Sequence, residues 1–109
     1  MTQRFVIIGG GPAGNQAATT AARHGAEVTL IERDVVGGAA HLWDCIPSKA
    51  MIATGGSMRE MRRAAGMGLT AVHAELDFDA LRNRIADIEG RLEHSVTGLL
   101  ESQGVRLIQ

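Results

Sequence analysis

The stretch from Arg4 to Glu32 constrains the fold more than any other part of this chain. In it an apolar run, a glycine turn, an alanine-rich segment, a second apolar run and a carboxylate follow one another at fixed spacing. Phe5 to Ile8 is short, apolar and β-branched, which predicts a strand over Arg4–Ile8 of the kind buried on both faces of a parallel sheet. GGGPAG follows, and Gly9, Gly11 and Gly14 satisfy the GxGxxG spacing. Gly9 permits the tight turn out of the strand, Gly11 lets a ligand approach the backbone, and Gly14 lets the next helix pack closely on the sheet. Pro12 suits a first helical turn, where its missing N–H is not needed. Ala13 to His24 reads as a helix whose inner face carries the small residues Ala17, Ala18, Ala21 and Ala22, and Gly25 ends it. Glu27 to Ile31 is the second strand, closing at Glu32.

Glu32 lies eighteen residues beyond Gly14, where a carboxylate accepts hydrogen bonds from ribose hydroxyls and repels a 2′-phosphate. This order of elements predicts a βαβ dinucleotide site for the AMP half of FAD or NAD. The expected cofactor-binding residues of this unit are Gly9, Gly11, Pro12, Ala13 and Gly14 at the turn, with Glu32 and Arg33 at the tip of the second strand. A glycine turn alone would be weak support; the flanking strands and terminal glutamate in register supply the rest.

Composition narrows the class. The chain has 109 residues, 45% hydrophobic and 21% charged, with a formal net charge of -1, which argues against disorder, a nucleic-acid tail and a polybasic membrane patch. The first apolar run is too short for a signal segment or a membrane span, and the expected location is cytoplasmic. A single cysteine allows no internal disulfide. The four histidines and that cysteine show no metal-ligand spacing, so no metal site is expected.

A second motif separates FAD from NAD. Gly37 to Lys49 reads GGAAHLWDCIPSK; it resembles the redox-motif region of the flavoprotein disulfide reductases, the family of dihydrolipoamide dehydrogenase, glutathione reductase and mercuric reductase. Their pattern, GG, T, C, four residues, C, IPSK, has paired thiols that pass electrons from reduced flavin to a disulfide. The resemblance covers almost the whole chain, but only the front part of such a protein. It implies an α/β, Rossmann-like FAD-binding fold with a parallel sheet, incomplete at the C-terminus, with residues 1–109 forming the N-terminal part of the FAD-binding domain. It further implies FAD as cofactor, NAD(P)H as co-substrate and a homodimeric full-length protein. Gly37 and Gly38 would bring the backbone near the diphosphate again; Gly38 and Ala39 are expected among the cofactor-binding residues, and by the same resemblance Cys45 faces the flavin as the catalytic candidate and Lys49 lies near the reactive edge of the ring.

The departures from the pattern are informative. Threonine is replaced by Ala39, the first cysteine by Ala40, and the four residues between the thiols are His41, Leu42, Trp43 and Asp44. GGAA followed by DC, one residue and PSK is more similar to the branch described as NAD(P)H quinone reductases, which lack one of the paired thiols and reduce quinones at the flavin. That points to direct transfer from flavin to a small acceptor. The alternatives are a dihydrolipoamide dehydrogenase-like disulfide reductase with a lost or relocated thiol, and a nucleotide-binding module without catalysis.

Other residues carry milder expectations. Cys45 is a structural or flavin-tuning thiol in preference to a nucleophile, set against the common reading of a lone cysteine as a small buried hydrophobe. Trp43 is expected to pack, with stacking on a quinone as the alternative. His24, His73 and His94 are surface residues, and the methionines fill gaps. Thr54 to Gly68, with glycines at both ends and Arg59, Arg62 and Arg63 on a basic face, reads as helix end, short helix and loop. From an N-cap at Asp79, apolar residues recur at Leu81, Ile85, Ile88, Leu92, Val96, Leu99 and Leu100, which predicts one long helix ending near Gly104. Val105 to Ile108 then returns as a third parallel strand.

Overall fold

The computed structural model describes residues 1–70 and 73–109. Strand β1 (Arg4–Ile8), helix α1 (Pro12–Arg23) and strand β2 (Glu27–Ile31) form the opening unit. A π-helical turn (Ala40–Cys45) leads into α2 (Ile46–Arg63) and a 3-10 turn (Ala64–Met67); α3 (Phe78–Ser102) then returns to β3 (Arg106–Ile108). The three strands are parallel in the order β1-β2-β3. Arg4 pairs with Glu27 and Ile8 with Ile31 across the first ladder, and Ile31 pairs with Ile108 across the second. This is the expected α/β architecture with a parallel sheet.

The core lies on one face of the central strand. Val28 and Leu30 point the same way along β2 by the two-residue period of a strand, and they are buried with Ala18 of α1, Leu100 of α3, Val36 and Val105. Ala18 has no accessible surface; a methyl group at that position lets α1 sit close to the sheet while still contributing apolar area. Leu100 anchors the C-terminal end of α3 in the same cluster. Gly104 adopts a φ of 73°, the left-handed conformation that ends helices, and turns the chain into β3.

The other face of the sheet is open. Val6 and Ile8 are 68% and 85% exposed, and Ile8 opens an apolar row that continues through Ile31 and Ile108 across the strands. The expectation that β1 is buried on both faces therefore does not hold. β1 is an edge strand here, and no other described segment covers that side of it.

Three boundaries differ from the sequence reading. α2 runs unbroken through Gly55 and Gly56 to Arg63, so Thr54 to Gly68 is one helix end and a 3-10 turn, with no separate short helix. Helix α2 is held by its anchoring at Ala50 and by packing along α3, which outweighs the weak propensity of two glycines. The N-cap of α3 is Asp77 and not Asp79: Ala80 N–H donates to Asp77 Oδ1 at 2.9 Å, while Asp79 lies in the first turn and accepts from Arg82 Nη1 at 3.0 Å. α1 begins at Pro12, one residue earlier than read, with Gly11 as its N-cap.

Candidate functional site

The crevice at the C-terminal ends of β1 and β2 is built from two glycine loops that touch. Gly9 turns the chain out of β1 with a φ of 101°, and its N–H donates to the Ile31 carbonyl at 2.8 Å. Gly14 sits so close to that turn that a Cβ there would overlap the Gly9 carbonyl oxygen. Gly11 precedes Pro12 in extended backbone, and a Cβ on it would find open space up to the Gly38 Cα at 3.9 Å. Gly38, with a φ of 91°, would place a Cβ 2.8 Å from the Gly11 Cα and 3.2 Å from Pro12 Cδ. The loop after β2 thus folds back over the first glycine turn, held from below by the buried Val35 and Val36. Between the two loops the backbone N–H groups at the start of α1 are unpaired by helix geometry and carry the positive end of the helix dipole. That is the chemistry of an anion cradle.

Gly10 ties these pieces together. It is buried, its N–H donates to Glu32 Oε2 at 2.7 Å, and its carbonyl accepts from Gly37 N–H at 2.8 Å and from Asn15 Nδ2 at 2.9 Å. Neither residue belongs to the GxGxxG positions read from the sequence: Gly10 is marked only by lying between two other glycines, and no pattern marks Asn15. Glu32 Oε1 also accepts from the Asp34 N–H at 2.9 Å. The backbone donors of Gly10 and then Asp34, aided by Arg33, hold the Glu32 carboxyl below its ordinary value, against a smaller opposing effect of burial. An ionised carboxylate with fixed orientation at the tip of β2 is what ribose recognition requires.

The second motif forms an adjoining patch. The Gly38 carbonyl accepts from His41 N–H at 3.1 Å and from Leu42 N–H at 3.0 Å, so the π-helical turn starts on the cradle itself. Leu42 is buried and pins the turn, while Ala39, Ala40 and His41 stay exposed. Cys45 is a free, exposed thiol, which sets aside the reading of it as a buried hydrophobe. Lys49 follows four residues later, on the same helical face, and is also exposed. Trp43 is 52% exposed instead of packed, and Met51 and Met67 are exposed instead of filling gaps. Arg33 is exposed beside Glu32. The structure therefore gathers Gly9, Gly11, Pro12, Ala13, Gly14, Glu32 and Gly38 in one crevice and sets Cys45 and Lys49 on the helix that leaves it.

Residues 3–109 match the profile of the pyridine nucleotide-disulphide oxidoreductases. The chain belongs to that family. Within the family it is 41% identical over 118 aligned positions to an NAD(P)H dehydrogenase (quinone) of Mycobacterium tuberculosis, covering 99% of this chain and 23% of that protein. It is 35% identical over 104 positions to a dihydrolipoyl dehydrogenase of Bacillus subtilis, covering 95% of this chain and 22% of that protein. The fold matches the crystal structure of LpdA from Mycobacterium tuberculosis with a TM-score of 0.85 at 37% identity, over 98% of this chain and 23% of that one. The chain thus spans less than a quarter of the length of these relatives. Among the described residues no helix is long and apolar enough to cross a membrane.

Proposed function

We propose that this chain is the opening part of the FAD-binding domain of an NAD(P)H oxidoreductase that passes electrons from flavin directly to a quinone-type acceptor. The observation that carries this reading is Ala40. It stands where a disulfide reductase keeps its first thiol, and Cys45 is the only cysteine in the sequence. The residues present fit FAD: a Cβ on Gly11 would project into the open space before the start of α1 that a diphosphate needs, and the Glu32 carboxylate is oriented by two backbone donors.

In this reading the N–H groups at the start of α1 bind the diphosphate, and the close approach of Gly38 to Gly11 walls the cradle. Glu32 accepts from the ribose hydroxyls, and its charge disfavours a 2′-phosphate at that position. When bound, FAD supplies the two-electron chemistry, accepting hydride from NAD(P)H and giving electrons to the acceptor. Lys49 places a cation one helical turn from Cys45, which favours negative charge at the adjoining edge of the ring. Trp43 offers an aromatic face beside the same turn, suited to a flat apolar acceptor. The small-molecule acceptor, the NAD(P)H co-substrate and a homodimeric assembly all belong to the complete protein; no part of the reading involves nucleic acid.

The deciding experiment is steady-state reduction of a quinone and of lipoamide by the complete reading frame, wild type and Cys45→Ser side by side. Direct transfer expects quinone reduction to persist in the variant, with a modest change in the flavin spectrum. Robust lipoamide turnover by the wild type that vanishes in the variant would establish a thiol route and support the dihydrolipoyl dehydrogenase reading. A wild-type protein that binds no flavin would leave a nucleotide-binding module without this catalysis.

A further inference from the structure

Asn15 occupies the first turn of α1 although little in the local structure favours an asparagine there. Its short polar side chain is a poor helix former. Its Oδ1 is buried with no hydrogen-bond partner among the described residues, a cost to the fold that an apolar side chain of the same size would avoid. Its Nδ2, by contrast, is committed to the Gly10 carbonyl at 2.9 Å, and the acceptor at that position fixes which end of the amide points there. The main chain of Asn15 is fixed within α1, where its N–H donates to the Gly11 carbonyl at 2.9 Å and its carbonyl accepts from the buried Thr19 hydroxyl at 2.9 Å.

We propose that Asn15 is a positioning residue for the adenosine diphosphate half of FAD, acting through Gly10. The proposal rests on the reading of the glycine cradle as a FAD site. With Gly37 N–H and Asn15 Nδ2 both on it, the Gly10 carbonyl has two donors, and its orientation is fixed. The peptide plane that holds this carbonyl also holds the Gly11 N–H, so fixing one fixes the other. Pro12 contributes no N–H, which makes the Gly11 donor harder to replace at the start of the helix. On its other side Gly10 donates to Glu32 at 2.7 Å, so the same residue sets both the diphosphate donor and the ribose acceptor. Glycine at position 10 has no side chain of its own to hold it, and its surroundings are tight: a Cβ there would lie 3.1 Å from Glu32 Cβ and 3.2 Å from Leu30 Cδ2. The restraint has to come from outside, and Asn15 supplies it.

The test uses the apo form of the complete reading frame and measures the affinities for FAD and for ADP, which carries only the adenosine diphosphate half. Asn15→Leu keeps the size and removes the donor; it is expected to weaken both ligands by the same factor, about tenfold, the scale of one lost neutral hydrogen bond. Asn15→Gln retains the amide and is expected to recover most of the loss. In a Glu32→Ala background the effect of Asn15→Leu should shrink, because part of it runs through that carboxylate. Asn15→Ala gives the same comparison should the leucine variant not fold, as judged by melting of the apoproteins. Wild-type affinity for both ligands in a folded Asn15→Leu or Asn15→Ala protein would overturn the proposal while leaving FAD binding itself intact. So would a loss confined to FAD, or full additivity with Glu32→Ala. Failure of the wild type to bind either ligand would instead remove the FAD reading on which the proposal stands.

Discussion

Gly14 and Gly11 look equivalent in the sequence motif, yet the structure gives them different work. A methyl group on Gly14 would overlap the Gly9 carbonyl, so Gly14→Ala must push α1 away from the sheet and is expected to destabilise the protein by about 3 kcal/mol, the upper end for overpacking. A methyl group on Gly11 meets nothing nearer than 3.9 Å and leaves an ordinary backbone conformation unstrained. As an apoprotein Gly11→Ala should therefore melt close to the wild type and well above Gly14→Ala while losing FAD affinity, and melting curves of the apoproteins beside flavin titrations of the two variants test this split. Glu32 adds a pH signature. Its folded value lies below the ordinary 4.5, so the stabilisation it provides is fully present above that value and is lost as the pH falls toward the depressed one. Glu32→Gln should flatten that part of the acid limb of stability, and urea unfolding from neutral pH down past 4.5 measures the difference.

At the scale of elements, the two long helices differ in how much of each was legible in the sequence. Gly55 and Gly56 read as a break, but α2 continues through them. Gly55 is exposed, and a Cβ on it would meet no atom within 4 Å. Gly55→Ala is therefore expected to raise stability by about 1 kcal/mol through backbone entropy and helix propensity alone. A denaturant midpoint unchanged or lowered would mean that the glycine serves a close contact beyond this chain. In α3 the stripe from Leu81 to Leu100 was legible because its apolar steps of three and four survive any choice of neighbour. The exact start was not. Two aspartates, Asp77 and Asp79, both suit an N-cap, and only the extended backbone at Asp77 and its bond to Ala80 N–H separate them.

As a whole molecule the chain is elongated, 70 × 24 × 19 Å, with a radius of gyration of 20.0 Å against roughly 13 Å for a compact domain of this length. Helix α3, about 37 Å long at the usual rise per residue, accounts for much of that length. The opening βαβ unit is only part-covered. Beside α1 and the edge strand β1 runs an open groove of about 1080 Å³, lined by Phe5, Ile7, Ala13, Ala17 and Ala21 among others, and Val6 and Ile8 are bare on the opposite face. An edge strand with that much exposed apolar surface is a template for pairing. The 109-residue chain produced by itself should associate with increasing concentration and lack quinone reductase turnover. Sedimentation across a concentration series, with flavin absorbance recorded alongside, checks this. A monomeric, flavin-loaded chain with turnover would contradict it.

What the sequence determined by itself is local: the two strands and their helix from hydrophobic period and glycine spacing, the carboxylate at the tip of β2, the stripe of α3, and the absence of a second thiol at Ala40. These follow from backbone freedom and side-chain chemistry within a few residues, which no distant contact alters. The tertiary structure decided what depends on residues meeting across the chain. It brought Gly38 onto Gly11, gave Gly10 its three partners at Glu32, Gly37 and Asn15, and left β1 at an edge with one face bare. A hydrogen bond between Asn15 and Gly10 leaves no periodic trace, and burial of a strand depends on elements that lie elsewhere. Periodicity tells which face of an element is apolar; only the packed structure tells what, if anything, covers it.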